Sequence, residues 1–312
     1  MNKGIRDYCK VITHSVGDVA DVYINVNKND ANLHAEFPLY KSSGLNPINL
    51  SLMLTLSDMD HAQSFGKGVR LNFYKKLYQD GDRFYICNYD GRVDEYIRTG
   101  DYYHNSETMT RIIRVDNYAH YSYELIDKFG NKLVYNYSSY QLPFIYPSRI
   151  EYYDGNFLNI SENPYFRYKI MSIENGKGEI VDFFHNRDNV ERIEISRNSV
   201  LINKILLNYS NNVIRTIEHI NSKGETVCKC YVQYNESAKT LEIAKQINDN
   251  TTYGVKYTLD DSKRRVISFT DGYDECYYGG KITNISYHSE YSEITDYKGR
   301  KSYFFFDRND MP

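Results

Sequence analysis

Asp58-Met59-Asp60-His61 is the stretch of this sequence that looks most like chemistry: two carboxylates at alternate positions, then an imidazole, just before Phe65-Gly66. Oxygen ligands at that spacing suit a hard divalent cation such as Ca²⁺. A calcium loop of the helix–loop–helix kind needs further ligands up to a glutamate at its twelfth position, and Phe65 to Arg70 supply none. Asp58, Asp60 and His61 are thus metal candidates by residue type alone, and a solvated loop is expected. The histidines (His14, His34, His61, His104, His120, His185, His219 and His288) are scattered, and none belongs to an H-E-x-x-H pair. There is no G-x-S-x-G elbow and no phosphate loop, and Gly66-Lys67-Gly68 precedes no helical pattern that would offer amide donors. Paired carboxylates occur at Asp94-Glu95 and Asp260-Asp261, but sequence does not set the roughly 5–10 Å separation that glycoside hydrolysis requires. The expectation is a protein with no catalytic residues and no cofactor.

Cys9, Cys87, Cys228, Cys230 and Cys276 form no closed set of pairs. On a strand Cys228 and Cys230 share one face, and no C-x2-C knuckle or added histidine completes a zinc set. Reduced thiols are expected. Lys plus Arg number 38 against 41 Asp plus Glu, so the basic surplus that phosphate contacts need is missing and nucleic acid is not an expected partner. No apolar run approaches the roughly 20 residues of a membrane-spanning helix. Met1 to Asp7 are followed by no apolar signal segment, which leaves retention inside the cell, export by a signal-independent route, or a longer parent chain.

The elements that must position these residues read as strands. Asp21–Asn27, Leu33–Leu39 and Ile48–Leu56 alternate with period two, the last with apolar residues on even positions. Asp80-Gly81 and Asp90-Gly91 sit between alternating segments, a strong hairpin signal. Ser237–Ile247 has good helix formers, yet Leu241, Ile243 and Ile247 fit a strand, and strand is expected. The aromatic load (33 Tyr and 14 Phe, with no Trp) suits rings packed across a pleated surface. Tyrosine rows could also stack on sugar rings. From about residue 118 a unit recurs: an apolar strand, a polar turn with glycine (Gly130, Gly178, Gly224, Gly299), then an aromatic strand. Recurrence on this scale predicts stacked supersecondary units.

In order along the chain, Phe37-Pro38-Leu39-Tyr40, Ile48–Leu52, Phe65-Gly66-Lys67-Gly68-Val69-Arg70-Leu71-Asn72, Asp80–Tyr85 and Asp90-Gly91-Arg92 resemble the RHS or YD-repeat family of bacterial proteins. The repeat unit of that family is matched at Asp127–Tyr137 and Asp296–Phe306, and Phe306–Pro312 resembles the end of such a repeat. Val69 stands where the family has Trp, and the units between 140 and 290 are degenerate. The resemblance implies an all-β fold: a curled, mostly antiparallel repeat sheet of β-hairpins forming part of a hollow shell. It implies an N-terminal lead-in region over 1–140 and degenerate repeats over 141–312. It marks Phe65, Gly66, Gly68, Arg70, Asp90, Gly91, Arg92, Gly130, Gly178, Gly224 and Gly299 as structural motif residues. No toxin segment is recognisable, so that role does not carry over. The expected function is a non-enzymatic structural or interaction module that encloses or presents a protein cargo or mediates cell-surface or intercellular contact; its partner is that cargo or a further RHS-type chain, and family members are often secreted or at the cell surface. The alternative is a carbohydrate-binding or carbohydrate-active protein that uses a Tyr-rich face for a glycan.

Overall fold

The computed structural model describes residues 22–26, 33–42, 47–56, 59, 62–117, 120–136, 145–163, 169–248, 251–262, 265–273, 282–288 and 291–305. Among the described residues there are strands and no α-helix, and every strand ladder is antiparallel. The all-β expectation is borne out, including strand rather than helix at Thr240–Asn248.

The first strands are β1 (Tyr23–Val26), β2 (Leu33–Lys41), β3 (Asn49–Thr55), the short pair β4 (Ala62–Gln63) and β5 (Gly66–Lys67), and β6 (Val69–Leu71). β1, β2, β3 and β6 pair in that order into a four-stranded inner sheet. Alternation in β2 puts Leu33, Ala35, Phe37 and Leu39 on one face, and all are buried. Opposite them in register are Leu54 and Leu52 of β3. The pattern of β3 predicts one wet face, but Ser51, Met53 and Thr55 are buried as well. The reason is long-range: Met53 lies opposite Arg70 in register, and the Arg70 guanidinium donates to the Asn88 carbonyl at 3.1 Å. A distant hairpin therefore covers the second face.

The remaining described strands form one meander. Its opening strands are β7 (Lys76–Asp80), β8 (Arg83–Cys87), β9 (Val93–Thr99), β10 (Tyr102–Asn105), β11 (Thr110–Asn117), β12 (His120–Ile126) and β13 (Lys132–Asn136). Then come β14 (Arg149–Glu151), β15 (Phe157–Glu162), β16 (Ile170–Asn175), β17 (Glu179–Asn186), β18 (Asn189–Arg197), β19 (Val200–Ser210) and β20 (Val213–Asn221). It finishes with β21 (Thr226–Asn235), β22 (Thr240–Asn248), β23 (Thr251–Leu259), β24 (Val266–Tyr273), β25 (Ile282–Tyr287), β26 (Tyr291–Thr295) and β27 (Lys301–Phe305). Each strand pairs with its sequence neighbours, giving a sheet of 21 strands. No ladder joins β27 to β7 among the described residues, so the sheet is not closed end to end. Its opening strands do curl onto themselves, because Leu77 and Ile145 exchange backbone hydrogen bonds of 2.9 and 2.8 Å.

Two apolar clusters follow from this course. The smaller fills the opening curl with Leu77, Phe84, Ile86, Tyr96, Ile112, Tyr123, Leu125 and Tyr135. Its rings pack tightly, with Phe84 centred 4.6 Å from Tyr103 and 4.8 Å from Tyr123. The Tyr96 hydroxyl pairs with Thr110 Oγ1 at 2.8 Å, and burial pushes its phenol up to about 12. The larger cluster joins the inner sheet to strands from β15 to β25. The expected lead-in region 1–140 thus contributes to both clusters, residues 22–71 to the larger and 77–135 to the smaller.

The recurring glycine turns share one hydrogen-bond pattern. Asp127, Asn175, Asn221 and Asp296 each accept, at side-chain Oδ1, the N–H groups two and four residues on, at 2.8–3.0 Å. The glycine three residues on has positive φ in every case: 90° at Gly130, 77° at Gly178, 85° at Gly224 and 77° at Gly299. An Asx side chain thus organises the turn and glycine absorbs the left-handed residue. A Cβ added at Gly224 would meet nothing within 4 Å. Gly224→Val should therefore cost only the left-handed backbone penalty, about 1–2 kcal/mol, read as a lower Tm with unchanged strand circular dichroism. An unchanged melt would remove this account of the turn.

Candidate functional site: the joint between the inner and outer sheets

Phe65, Gly66, Gly68 and Arg70 lie where the inner sheet meets the meander. Phe65 packs edge-on against Phe183, ring centroids 6.2 Å apart. The Ser64 carbonyl accepts from Val190 N–H and the Lys67 N–H donates to the Asn212 carbonyl, both at 2.7 Å. Gly66 sits at φ 87°, and a Cβ there would come within 2.8 Å of the Asn212 carbonyl oxygen. Gly68, at φ 69°, is confined by Met59 and the Thr55 carbonyl. Both glycines are required by backbone approach as well as by conformation.

The second motif meets the first through Arg70 and the Asn88 carbonyl. In the hairpin between β8 and β9, Gly91 has φ 83° and Asp90 Oδ1 accepts from Arg92 N–H at 3.1 Å. Arg92 pairs with Asp94 at 3.0 Å, and Asn88 Nδ2 donates to the same carboxylate at 2.9 Å. Burial, with the Arg92 charge adding to it, pushes the nearby Lys75 ammonium below its usual range. Phe65, Gly66, Gly68, Arg70, Asp90, Gly91 and Arg92 therefore converge on a structural joint, while Gly130, Gly178, Gly224 and Gly299 stay dispersed along the turns.

A third contact was not legible in the sequence. Glu179, at the start of β17, accepts from Tyr40 OH at 3.2 Å, Arg197 Nε at 3.1 Å and Asn175 Nδ2 at 2.7 Å. Burial opposes ionisation, but hydrogen bonds from Arg197, Ser42 and Asn175 outweigh it and hold the carboxyl below its usual range. Tyr40 and Ser42 belong to the inner sheet's end and Glu179 to the outer sheet, with 139 residues between Tyr40 and Glu179, so no local pattern foretells the pairing.

Cys228 and Cys230 are not joined in a disulfide, and they are buried on one face of β21, as their spacing predicts. In register they lie beside His219 and Lys245, both buried. Burial, and then the Lys245 charge, lower the His219 pKa to about 4; its Nδ1 has no hydrogen-bond partner. No group of His, Cys, Asp and Glu able to hold a metal ion occurs among the described residues. Asp58, Asp60 and His61 lie outside the described residues. Beside the joint is a small cavity of about 40 Å³, walled by Phe65, Phe73, Ile160 and the hydrogen-bonded Tyr74 and Tyr146.

Two outcomes follow. Glu179→Gln removes a buried, multiply hydrogen-bonded charge, so chemical denaturation at pH 7 should show a loss of about 1–3 kcal/mol. A folded pKa held low stabilises above the unfolded value and loses its effect as pH falls through the folded one, so the variant and the parent should converge in strong acid. His219 acts in a different window. Its unfolded form takes up a proton below about 6.5 and its folded form only near 4, so stability should fall with pH between those values. Melts of His219→Leu should be flatter than the parent's over that range; parallel curves would contradict the assignment.

No protein-family model matches the chain, and no curated protein does. Among solved structures it is similar to a crystallised porin-like protein from Bacteroides uniformis ATCC 8492. The identity is 7%, the match covers 88% of this chain and 94% of that one, and the TM-score is 0.23. A likeness at that level carries no functional inference. No helix of the described residues is long and apolar enough to cross a membrane.

Proposed function

We propose that this chain is a non-enzymatic structural and interaction module, a piece of an RHS-like β-sheet shell. The observation that carries the reading is what the motif residues are used for. Phe65, Gly66 and Arg70 make contacts that hold an inner sheet against a long meander, while Gly68 and Arg92 shape the two sides that meet there. Side chains spent on such contacts serve the architecture. The inner sheet covers the apolar face of β15–β25, so this reading puts a protein cargo or a further RHS-type chain at the outer face or at the edge of β27. Lys301 and Tyr303 on that strand are exposed, and a strand edge of this kind is where another chain can add.

A glycan partner is the second reading, favoured by two exposed rings on adjoining turns. Phe129 is 67% and Tyr153 74% exposed, and the Tyr153 N–H donates to Asn131 Oδ1 at 3.1 Å, tying the turns together. Such rings can stack on sugar faces.

The purified chain should show no turnover of glycosides, peptides, esters or nucleic acids, and the Asp58→Ala, Asp60→Ala, His61→Ala triple variant should melt as the parent does. Turnover abolished by that triple variant would overthrow the non-enzymatic reading. Glycan-array binding lost on Tyr153→Ala would move the reading to the second class.

A further inference from the structure

The outer face of the opening curl carries a hollow of about 420 Å³, bounded chiefly by Tyr102, His104, Met109, Arg111, Ile126 and Lys128. Sites for small organic ligands span about 300–1,000 Å³. Strand register builds its floor. His104 stands opposite Arg111, and Arg111 opposite Ile126, so these side chains form one row across β10, β11 and β12. Tyr102, two residues before His104 and on the same face, meets it edge-on with ring centroids 6.4 Å apart.

The turn between β10 and β11 adds Met109, which is 64% exposed and held at φ 54°, a backbone region that long side chains seldom adopt. That turn is pinned by Thr108 N–H donating to Asn105 Oδ1 at 2.8 Å and by a 2.6 Å contact between the hydroxyls of Thr108 and Thr110.

The charges around the hollow are unbalanced. The Arg111 guanidinium has no hydrogen bond or ion pair with the described residues, and Lys128 lies over the Phe129 ring, 5.0 Å from its centroid, rather than against a carboxylate. Asp127 also borders the hollow, but its carboxylate is occupied by the N–H groups of Phe129 and Asn131 and by Asn131 Nδ2, at 2.8–2.9 Å. Glu124 on the neighbouring strand pairs with Lys132 at 3.0 Å. Asp101 and Glu107, the acids nearest in sequence, are exposed and do not line the space.

We infer that this hollow binds an organic anion carrying a flat apolar ring, of the phosphate-ester or carboxylate class. The ring lies against Tyr102, His104 and Met109, where aromatic edges and a polarizable thioether make good contacts. The acid group takes the Arg111 fork, whose planar donors match two oxygens at once, with Lys128 as a second charge. The inference is independent of the shell reading, since it uses none of the joint residues.

Phenyl phosphate titrated into the full chain, followed by amide NMR, tests it. Saturable shifts should centre on Tyr102, Arg111 and Gly130. Arg111→Ala should weaken binding about tenfold or more, as expected for losing a charged hydrogen bond, while Arg111→Lys keeps part of it. Lys128→Ala, in the turn after β12 and outside the strand ladders, supplies a second loss in case the first variant unfolds. Inorganic phosphate and phenol should each bind far more weakly than phenyl phosphate, and benzoate reports which acid group is preferred. No saturation by about 10 mM, equal affinity for inorganic phosphate, or unchanged affinity in a folded Arg111→Ala chain would overturn the inference.

Discussion

A single layer of strands has an apolar face that it cannot cover by itself, and in this protein the cover comes from residues 22–71. Leu33, Phe37, Leu50, Leu52 and Leu54 of the inner sheet share one buried cluster with Leu158, Ile173, Phe183, Ile193, Ile205 and Val255 of the meander. Burial of such side chains is worth about 1.5–3 kcal/mol each, which makes this contact the dominant favourable term for the second half of the chain. Strands from β15 to β25 depend on it directly. The opening curl solves the same problem differently, by bending until Leu77 meets Ile145 and its own rings fill the space.

Apolar faces are non-directional and would tolerate sliding. The polar contacts at the joint remove that freedom. The Lys67 N–H to Asn212 carbonyl bond, the Val190 N–H to Ser64 carbonyl bond and the network on Glu179 each fix one point of the inner sheet on the outer one. A buried carboxylate satisfied by Tyr40, Asn175 and Arg197 is a poor source of net stability, because desolvation offsets much of the attraction. It is costly to break, however, so a slipped arrangement that left it unpaired would be disfavoured. The close approach at Gly66, where a Cβ would lie 2.8 Å from the Asn212 oxygen, works in the same direction by admitting only one backbone fit.

Two kinds of turn recur along the meander. One kind pairs an Asp or Asn with a glycine three residues later, as at Asp127 and Gly130. The other uses no glycine. Asn211 and Asn212 link β19 to β20 at φ 52° and 62°, and Asn198 and Ser199 link β18 to β19 at 50° and 65°. Two consecutive positive φ values match the twist of a tight hairpin, and Asn tolerates that conformation better than most residues. The spacing of glycines therefore marks only some of the hairpins, and the units look degenerate in sequence where the backbone is still regular.

Sequence alone determined the local part of this structure. Period-two runs such as Leu33–Leu39, the glycine turns and the shared face of Cys228 and Cys230 all emerged where they were expected, because alternation and left-handed turns are properties of neighbouring residues. The candidate residues 65–70 and 90–92 were legible as a set, but not as one joint. Tertiary structure alone decided that both faces of β3 are buried, that Glu179 meets Tyr40, and that His104, Arg111 and Ile126 form one row. Each depends on strand register or on docking between segments far apart in the chain. Those are set by the sum of many weak contacts and by burial of charge, quantities that no short window of sequence contains.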